Sequence, residues 1–296
     1  MSVPAAYLAV IAIWSTTPLA IKWSSEGPGF ATGVTARMVI GTVICLLIVR
    51  LFRVEVPWHR RAVQAYAAGS LAVFGGMMSV YWGAQFIDSG LVALLFGLTP
   101  LATTIISVTT GTESRPGMMK LFAIFIALVG LCIILLPGSL DSGDTNARSV
   151  YGMAAVFMGM LMHSVSTVWV KNTAQGLPAM AMTTGSLLMS LPLYLLSWYI
   201  IDGTIPAQID TRAIGSIVYL GLFGSVLGYI MYFYALRHVT ASKMALLTLI
   251  TPVTALLLGQ ALNNEQVTPM VWLGTGMILL GLVLHQWGHR LRFRFA

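Results

Sequence analysis

The sequence predicts an all-α integral membrane protein with ten transmembrane helices, arranged as two inverted five-helix repeats around a central cavity. Three observations predict this fold. First, only 8% of the residues are charged and 57% are hydrophobic, whereas soluble domains carry about 25% charged residues. Second, long apolar runs follow one another along the whole chain. Third, a phrase in the first half recurs in the second half.

Ten apolar segments are long enough to be membrane spans, which need about 20 residues each. Turn-forming residues separate them, as at Gly27-Pro28-Gly29 and Pro137-Gly138. The predicted spans are 4–23, 30–52, 62–87, 89–110, 118–137, 149–171, 178–201, 211–236, 240–261 and 268–288.

The positive charges predict the orientation of these spans. With the N-terminus in the cytoplasm, the inner loops and tail hold Arg50, Arg53, Arg60, Arg61, Arg115, Lys120, Lys171, Arg237, Lys243, Arg290, Arg292 and Arg294, and the outer loops hold Lys22, Arg148 and Arg212. Because Lys and Arg accumulate on the cytoplasmic side, we expect both termini in the cytoplasm. A bacterial inner membrane is the expected location.

The repeated phrase defines two halves. Ala93-Leu94-Leu95, Thr99-Pro100 and Glu113 recur 152 residues later as Ala245-Leu246-Leu247, Thr251-Pro252 and Glu265. The predicted units are residues 1–138 and residues 139–296, the second with a short basic tail. Five helices per unit is an odd number, so the second unit enters the membrane upside down. Inverted repeats of this kind surround a midplane site with one gate from each half, which is typical of transporters.

This doubled phrase, followed by Gly130 in one half and by Gly274 and Gly281 in the other, resembles the EamA-type unit of the drug/metabolite transporter superfamily. Within that superfamily the chain is similar to the bacterial YddG-type amino-acid exporters. The resemblance implies a basket of ten helices with a cavity lined by helices one, three, four, six, eight and nine. It also implies export of amino acids, aromatic ones included, or of cationic compounds of similar size.

Matching polar clusters in helices one and six are the first candidate site. Trp14-Ser15 and Lys22 align with His163-Ser164 and Lys171 at an offset of 149. Pro18 frees a backbone carbonyl in helix one, and a neutral imidazole can bind a carboxylate or an ammonium group. The predicted substrate-binding residues here are Trp14, Ser15, His163, Ser166 and Trp169. Tight packing at a kink and an interhelical hydrogen bond are the structural alternatives.

Helices three and eight add aromatic candidates. Met78, Tyr81, Trp82 and Gln85 recur at helical spacing, and Met78 and Tyr81 are predicted to bind substrate. Tyr232 of helix eight is predicted to do the same. The family resemblance further implies cavity lining by residues beside the repeated prolines, namely Phe96, Thr99, Thr248 and Thr251.

The remaining candidates are structural. Pro18, Pro100 and Pro252 are expected to be kinks or hinges, and Glu113 and Glu265 to cap a neighbouring helix or to pair with Lys or Arg. Lys22 and Lys171 are expected to be snorkelling anchors. Arg37 lies about two turns inside helix two, where a charge is costly. We expect it to snorkel toward Glu26 or a lipid phosphate, with binding of a substrate carboxylate left open.

All nine acidic residues fall at predicted helix ends or in loops, so proton coupling through a midmembrane carboxylate is not expected. Together with the export of amino acids and similar small molecules that the resemblance implies, this predicts gradient-driven transport by a monomer in contact with membrane lipids. No cofactor, metal or nucleic acid is expected. The alternative substrates are drug-like cations and phosphorylated sugars. The alternative protein classes are a channel and a membrane enzyme, and the sequence contains no intramembrane protease motif that would favour the enzyme.

Overall fold

The computed structural model describes residues 2–112, 117–140, 144–239 and 251–291, and these residues are almost entirely helical. We number ten helical segments along them: α1 Val3–Ser25, α2 Phe30–Leu51, α3 Arg60–Gly83, α4 Ser89–Thr109, α5 Met118–Leu140, α6 Asp144–Thr173, α7 Ala179–Ile201, α8 Thr211–His238, α9 Thr251–Asn263 and α10 Pro269–Leu291. No β-strand occurs within these ranges.

Seven of the segments (α1–α4 and α6–α8) are long and apolar enough to cross a membrane, and α5 and α10 contain shorter apolar stretches, Met118–Ile134 and Pro269–His285. The described part of the chain is therefore an all-helical, multi-pass membrane protein. The start of the predicted ninth span, residues 240–250, lies outside the described residues.

Side-chain caps fix where several helices begin. The Ser2 hydroxyl accepts from the Ala5 amide at 3.4 Å at the start of α1, and His59 Nδ1 accepts from Ala62 at 3.3 Å at the start of α3. Asp210 accepts from the Arg212 amide at 3.3 Å before α8. Each cap satisfies a backbone donor that has no partner inside its helix.

Two helices contain a π-helical segment at matching positions. Leu71–Gly76 lies within α3, and Leu220–Leu227 lies within α8. The starting residues are 149 apart, the same offset that relates Trp14 to His163. Such wide turns are rare and frequently occur beside functional sites.

The helices pack in pairs that follow the repeat. α1 packs on α8 and α6 on α3; α1 packs on α9 and α6 on α4; α2 packs on the π segment of α8 and α7 on α3. The pairs α2–α7, α4–α9 and α5–α10 also pack together. Exchanging each helix with the one five places away converts every one of these pairs into another pair or into itself.

Glycines bring some of these pairs very close. A Cβ atom added to Gly83 of α3 would lie 2.5 Å from the carbonyl oxygen of Gly152 of α6. A Cβ on Gly130 of α5 would lie 2.7 Å from the carbonyl oxygen of Gly274 of α10. Helices in membranes commonly use small residues in this way, since close backbone approach increases van der Waals contact.

Candidate functional site

A cavity that is partly open to the outside lies between the two halves. Its walls come from α1, α2, α3, α4, α6, α8 and α9. The lining residues are Trp14, Thr17, Pro18, Ile21, Arg37, Met77, Val80, Val92, Ala93, Phe96, His163, Gly224, Tyr229 and Thr251. Relative to the expected walls, α2 is an addition.

Four rings from four helices meet at this cavity. The His163 ring lies 5.7 Å from Trp14 in an edge-on arrangement, 5.9 Å from Phe96 and 5.5 Å from Tyr232, measured between centroids. Trp14 and Tyr232 are 5.3 Å apart and inclined by 30°. The Tyr232 hydroxyl is held by the Thr167 hydroxyl at 2.6 Å. Such a cluster offers apolar ring faces with polar atoms at their edges, which suits an amphipathic small molecule.

The sequence of α1 explains how Trp14 is presented. Pro18 has no amide hydrogen, so the Trp14 carbonyl loses its usual helical donor. Thr17 donates its hydroxyl to the Ile13 carbonyl at 2.7 Å and lines the cavity beside Pro18. The segment from Trp14 to Pro18 therefore presents Trp14, Thr17 and Pro18 to the cavity.

Three predicted binding residues do not line the cavity, because their hydroxyls are used in packing. Ser15 donates to the Ile11 carbonyl and accepts from Thr254 of α9, both at 2.8 Å. Ser166 donates to the Ala68 carbonyl of α3 at 2.6 Å. Thr99 donates to the Phe96 carbonyl at 2.5 Å. These three hydroxyls therefore contribute to helix packing, and their contact with substrate stays a prediction.

Trp169 is not among the residues that line this cavity, and its side chain is 44% exposed. Residues three apart fall short of one helical turn by roughly 60°, so Trp169, six residues after His163, has rotated about 120° away from it. Successive i+3 steps do not stay on one narrow face.

The predicted stripe on α3 is also displaced. Met77 and Val80 reach the cavity, whereas Met78 is partly buried against the core and does not line it. Trp82 and Gln85 are exposed. Helical spacing showed which of these residues share a face but not which neighbouring helix that face meets.

Tyr81 is fully buried behind the cavity wall rather than in it. The Arg37 guanidinium carbon lies 6.0 Å from its ring centroid, and the Ser24 hydroxyl donates to its hydroxyl at 3.4 Å. Tyr81 therefore supports a lining residue. Tyr232 contacts the lining rings in the same supporting way.

Pro252, the repeated proline of α9, lies next to α4. The helix of α4 is interrupted at Gly97 and Leu98, just before Thr99-Pro100. A Cβ on Gly97 would lie 3.2 Å from Pro252 Cγ of α9. Pro252 thus approaches α4 at the point where that helix is irregular, and the role of the repeated prolines as hinges stays a prediction.

The side chain of Glu265, from the segment after α9, caps the N-terminus of α4. Its carboxylate accepts from the Ser89 amide at 3.1 Å and the Ser89 hydroxyl at 2.9 Å, and lies 3.6 Å from Lys22 Nζ. It is both a helix cap and an ion-pair partner. Glu113 and Thr248, the other predicted residues of this group, lie outside the described residues.

Arg37 differs most from expectation. Its side chain is 2% exposed and lines the cavity. Snorkelling toward Glu26 is wrong, because Glu26 pairs with Arg212 at 2.5 Å instead. The available sequence signal was that Arg37 is the one cation placed deep inside a predicted span. Among the described side chains, no cluster of His, Cys, Asp or Glu has the arrangement of a metal site.

The duplicated five-helix pattern and its shared cavity can be compared with known proteins. The EamA-like transporter family matches residues 3–136 and again residues 150–285. The chain belongs to this family. It is therefore a membrane transporter by family, with a small molecule as the expected cargo.

Relatives with described names agree at this level. The "Uncharacterized inner membrane transporter YedA" of Escherichia coli (strain K12) is 28% identical, with 94% of this chain and 89% of the relative covered. A protein of Streptantibioticus cattleyicolor named "Probable terminal-alkyne amino-acid exporter" is 25% identical, with 92% of each covered. A solved crystal structure covers 98% of both chains with a TM-score of 0.69 at 19% identity, which supports the fold alone.

Proposed function

We propose that this protein exports amino acids, aromatic and neutral ones, across a bacterial inner membrane by alternating access. The observation that carries the proposal is the ring cluster of Trp14, Phe96, His163 and Tyr232, in which two rings come from each half. A site built from both halves changes shape when the halves move against each other. This is the arrangement that alternating access requires.

The helix pairs support an inverted repeat of residues 1–138 and 139–296, with ten spans in all. The pairs α1–α8, α1–α9 and α2–α8 each have a counterpart five helices away, in α6–α3, α6–α4 and α7–α3. The two π segments also correspond. An inverted repeat allows one half to adopt the conformation of the other, which exchanges the side of access without a separate gating domain.

The lining chemistry favours a zwitterion among the candidate substrates. Ring faces and one guanidinium group line the cavity, and no carboxylate lines its described part. Drug-like cations therefore lack a counter-charge there. A doubly charged sugar phosphate would call for at least two cations, of which the lining supplies Arg37. The name of the relative from Streptantibioticus cattleyicolor, an amino-acid exporter, points in the same direction.

We further propose gradient-driven transport without a carboxylate proton relay, by a monomer with both termini in the cytoplasm. The carboxylates of Glu26, Asp88, Asp202 and Glu265 are engaged at helix ends, with Arg212, Lys22, Thr32 and Ser89 respectively. The cavity is enclosed by helices of one chain, so no second copy is needed to complete it.

Counterflow in proteoliposomes tests the proposal. Vesicles loaded with unlabelled L-phenylalanine should accumulate labelled L-phenylalanine, with saturable rates and no imposed pH gradient. Trp14→Ala and His163→Ala should lower uptake at sub-saturating substrate by roughly 10- to 100-fold, since each removes a buried ring face worth roughly 1.5–3 kcal/mol. Trp169→Ala is the matched control, because it removes an indole from the exposed surface, and uptake should be unchanged.

Other outcomes identify the competing functions. Counterflow of tetraphenylphosphonium but of no amino acid in a labelled panel would favour the cation exporter. A requirement for an imposed pH gradient would refute facilitated transport, and rates that do not saturate would favour a channel. Equal losses in Trp14→Ala and Trp169→Ala would remove the ring cluster from the site.

A further inference from the structure

Arg37 is held rigidly at one side of the cavity. Its Nε donates to the Ser225 hydroxyl of α8 at 2.9 Å, and its guanidinium lies over the Tyr81 ring. Gly224 makes room for it, because a Cβ atom there would lie 2.9 Å from Arg37 Nη2. The guanidinium is therefore positioned by α2, α3 and α8 together, rather than by its own flexible stem.

The charge of Arg37 has no counter-ion in the described protein. No carboxylate among the described side chains lies within 4 Å of it; the three ion pairs found there join other residues. An unpaired charge in a membrane interior is costly. A cavity that retains such a charge is built to receive an anion.

Two hydrogen-bond donors beside the cavity are also unused. Arg37 Nη1 and the Tyr229 hydroxyl are both buried, and neither has a hydrogen-bond partner among the described residues. Both residues line the cavity. Leaving a buried donor unsatisfied costs about 1–3 kcal/mol, so a ligand that accepts from both would recover this free energy.

We propose that Arg37 and Tyr229 bind the carboxylate of the transported molecule, and that a single carboxylate beside an apolar or aromatic group is what this cavity selects. The proposal rests on the transport function proposed above and names its substrate class. One guanidinium matches one carboxylate in charge and in geometry. The ring cluster of Trp14, Phe96 and His163, on the same cavity, receives the apolar part.

The second half has no equivalent of Arg37. At the offset of 149, the corresponding residue of α7 is Ser186. The cavity therefore has one anion-binding side, formed by α2 and α8, although its framework is repeated. A substrate with a carboxylate at one end has one preferred orientation in it.

Ligands that differ in a single group test this on the unaltered protein. In L-phenylalanine counterflow, 3-phenylpropanoate keeps the carboxylate and lacks the ammonium group, whereas phenethylamine and L-phenylalaninamide lack the carboxylate. We expect 3-phenylpropanoate to compete and both amines to compete at least tenfold more weakly. Equal competition by the acid and the amines would overturn the assignment of Arg37 and leave amino-acid transport standing.

Substitutions then test whether Arg37 and Tyr229 are responsible for the preference for a carboxylate. Arg37→Gln should weaken L-phenylalanine and 3-phenylpropanoate by about 10- to 100-fold, without weakening phenethylamine further. Arg37→Lys should retain part of the preference for the acid, and Tyr229→Phe should lose about tenfold. Arg212→Gln, which removes an arginine at the surface, is the matched control. A folded Arg37→Gln protein that still prefers the acid would contradict the proposal.

Two measurements separate failure of the inference from failure of the transport function. If no amino acid shows counterflow, the transport proposal fails, and thermal stabilisation by 3-phenylpropanoate against phenethylamine still tests Arg37 directly. If Arg37→Gln does not fold, the ligand series on the unaltered protein decides. Absence of any preference for the acid in both measurements overturns the inference.

Discussion

Lys22 and Lys171 occupy matching positions in the two halves, yet they have different partners. Lys22 Nζ lies 3.2 Å from Asp88, 3.6 Å from Glu265 and 3.4 Å from the Ile87 carbonyl. Lys171 Nζ donates to the carbonyls of Leu236 and Val239 at 2.6 and 2.7 Å. Neither lysine is a free snorkelling anchor.

One contact of these lysines is shared by the two halves, and another is found in one half. Leu236 stands 149 residues after Ile87, so a contact between the lysine and the carbonyl end of the helix two places further along is common to both halves. Among the described residues, only Lys22 also pairs with carboxylates, those of Asp88 and Glu265. At the Lys22 end, ion pairs and hydrogen bonds join α1, the N-terminus of α4 and the segment after α9.

The largest expected effect at the Lys22 end comes from Glu265→Ala. It removes the cap of α4 and leaves Lys22 with Asp88, which is partly exposed. Loss of one partner from a buried pair costs about 3 kcal/mol, so the free energy of unfolding in detergent should fall by about that amount. Asp88→Asn is the control and should cost less than about 1 kcal/mol. Equal losses would show that Glu265 is not the central residue of this end.

A direct test of the asymmetry compares Lys22→Met with Lys171→Met. The first leaves a buried carboxylate without its cation and should lower the free energy of unfolding by about 2 kcal/mol; the second leaves two carbonyls and should cost about 1 kcal/mol. Chemical unfolding of both variants in the same detergent measures the difference. Identical losses would mean that a carboxylate outside the described residues also serves Lys171.

The smallest effect is expected for Arg212→Gln, at the same end as Lys22. Its pair with Glu26 is about half exposed on both sides, and such pairs contribute roughly 0–1 kcal/mol and weaken with salt. The loss should be below 1 kcal/mol and disappear in high salt. A larger loss that is independent of salt would extend the charged contact of the Lys22 end to the surface.

The positions of the helices followed from the sequence because hydrophobicity over twenty residues is a local property. The first predicted span, 4–23, corresponds to α1 at Val3–Ser25. Trp14 and His163 were also predictable, since the repeat aligns them and they carry ring chemistry in otherwise aliphatic helices. The structure places both at the cavity.

The remaining site residues depend on neighbours that are distant in sequence. Trp169 and Trp82 look like cavity aromatics by composition, but the helices beside them do not cover those faces. The burial of Arg37 depends on Gly224 and on Ser225, which is 188 residues away along the chain. Nothing near Arg37 in sequence encodes that space.

The π segments of α3 and α8 have a consequence for any scan along these helices. A π turn holds an additional residue, so the helical phase changes by about 100° where it occurs. In cysteine accessibility measurements, the periodic pattern before Leu71 and the pattern after Gly76 should be offset by one residue, and the same offset should recur across Leu220–Leu227. A single helical wheel drawn through either helix would therefore misplace the residues after the π segment by about 100° relative to those before it.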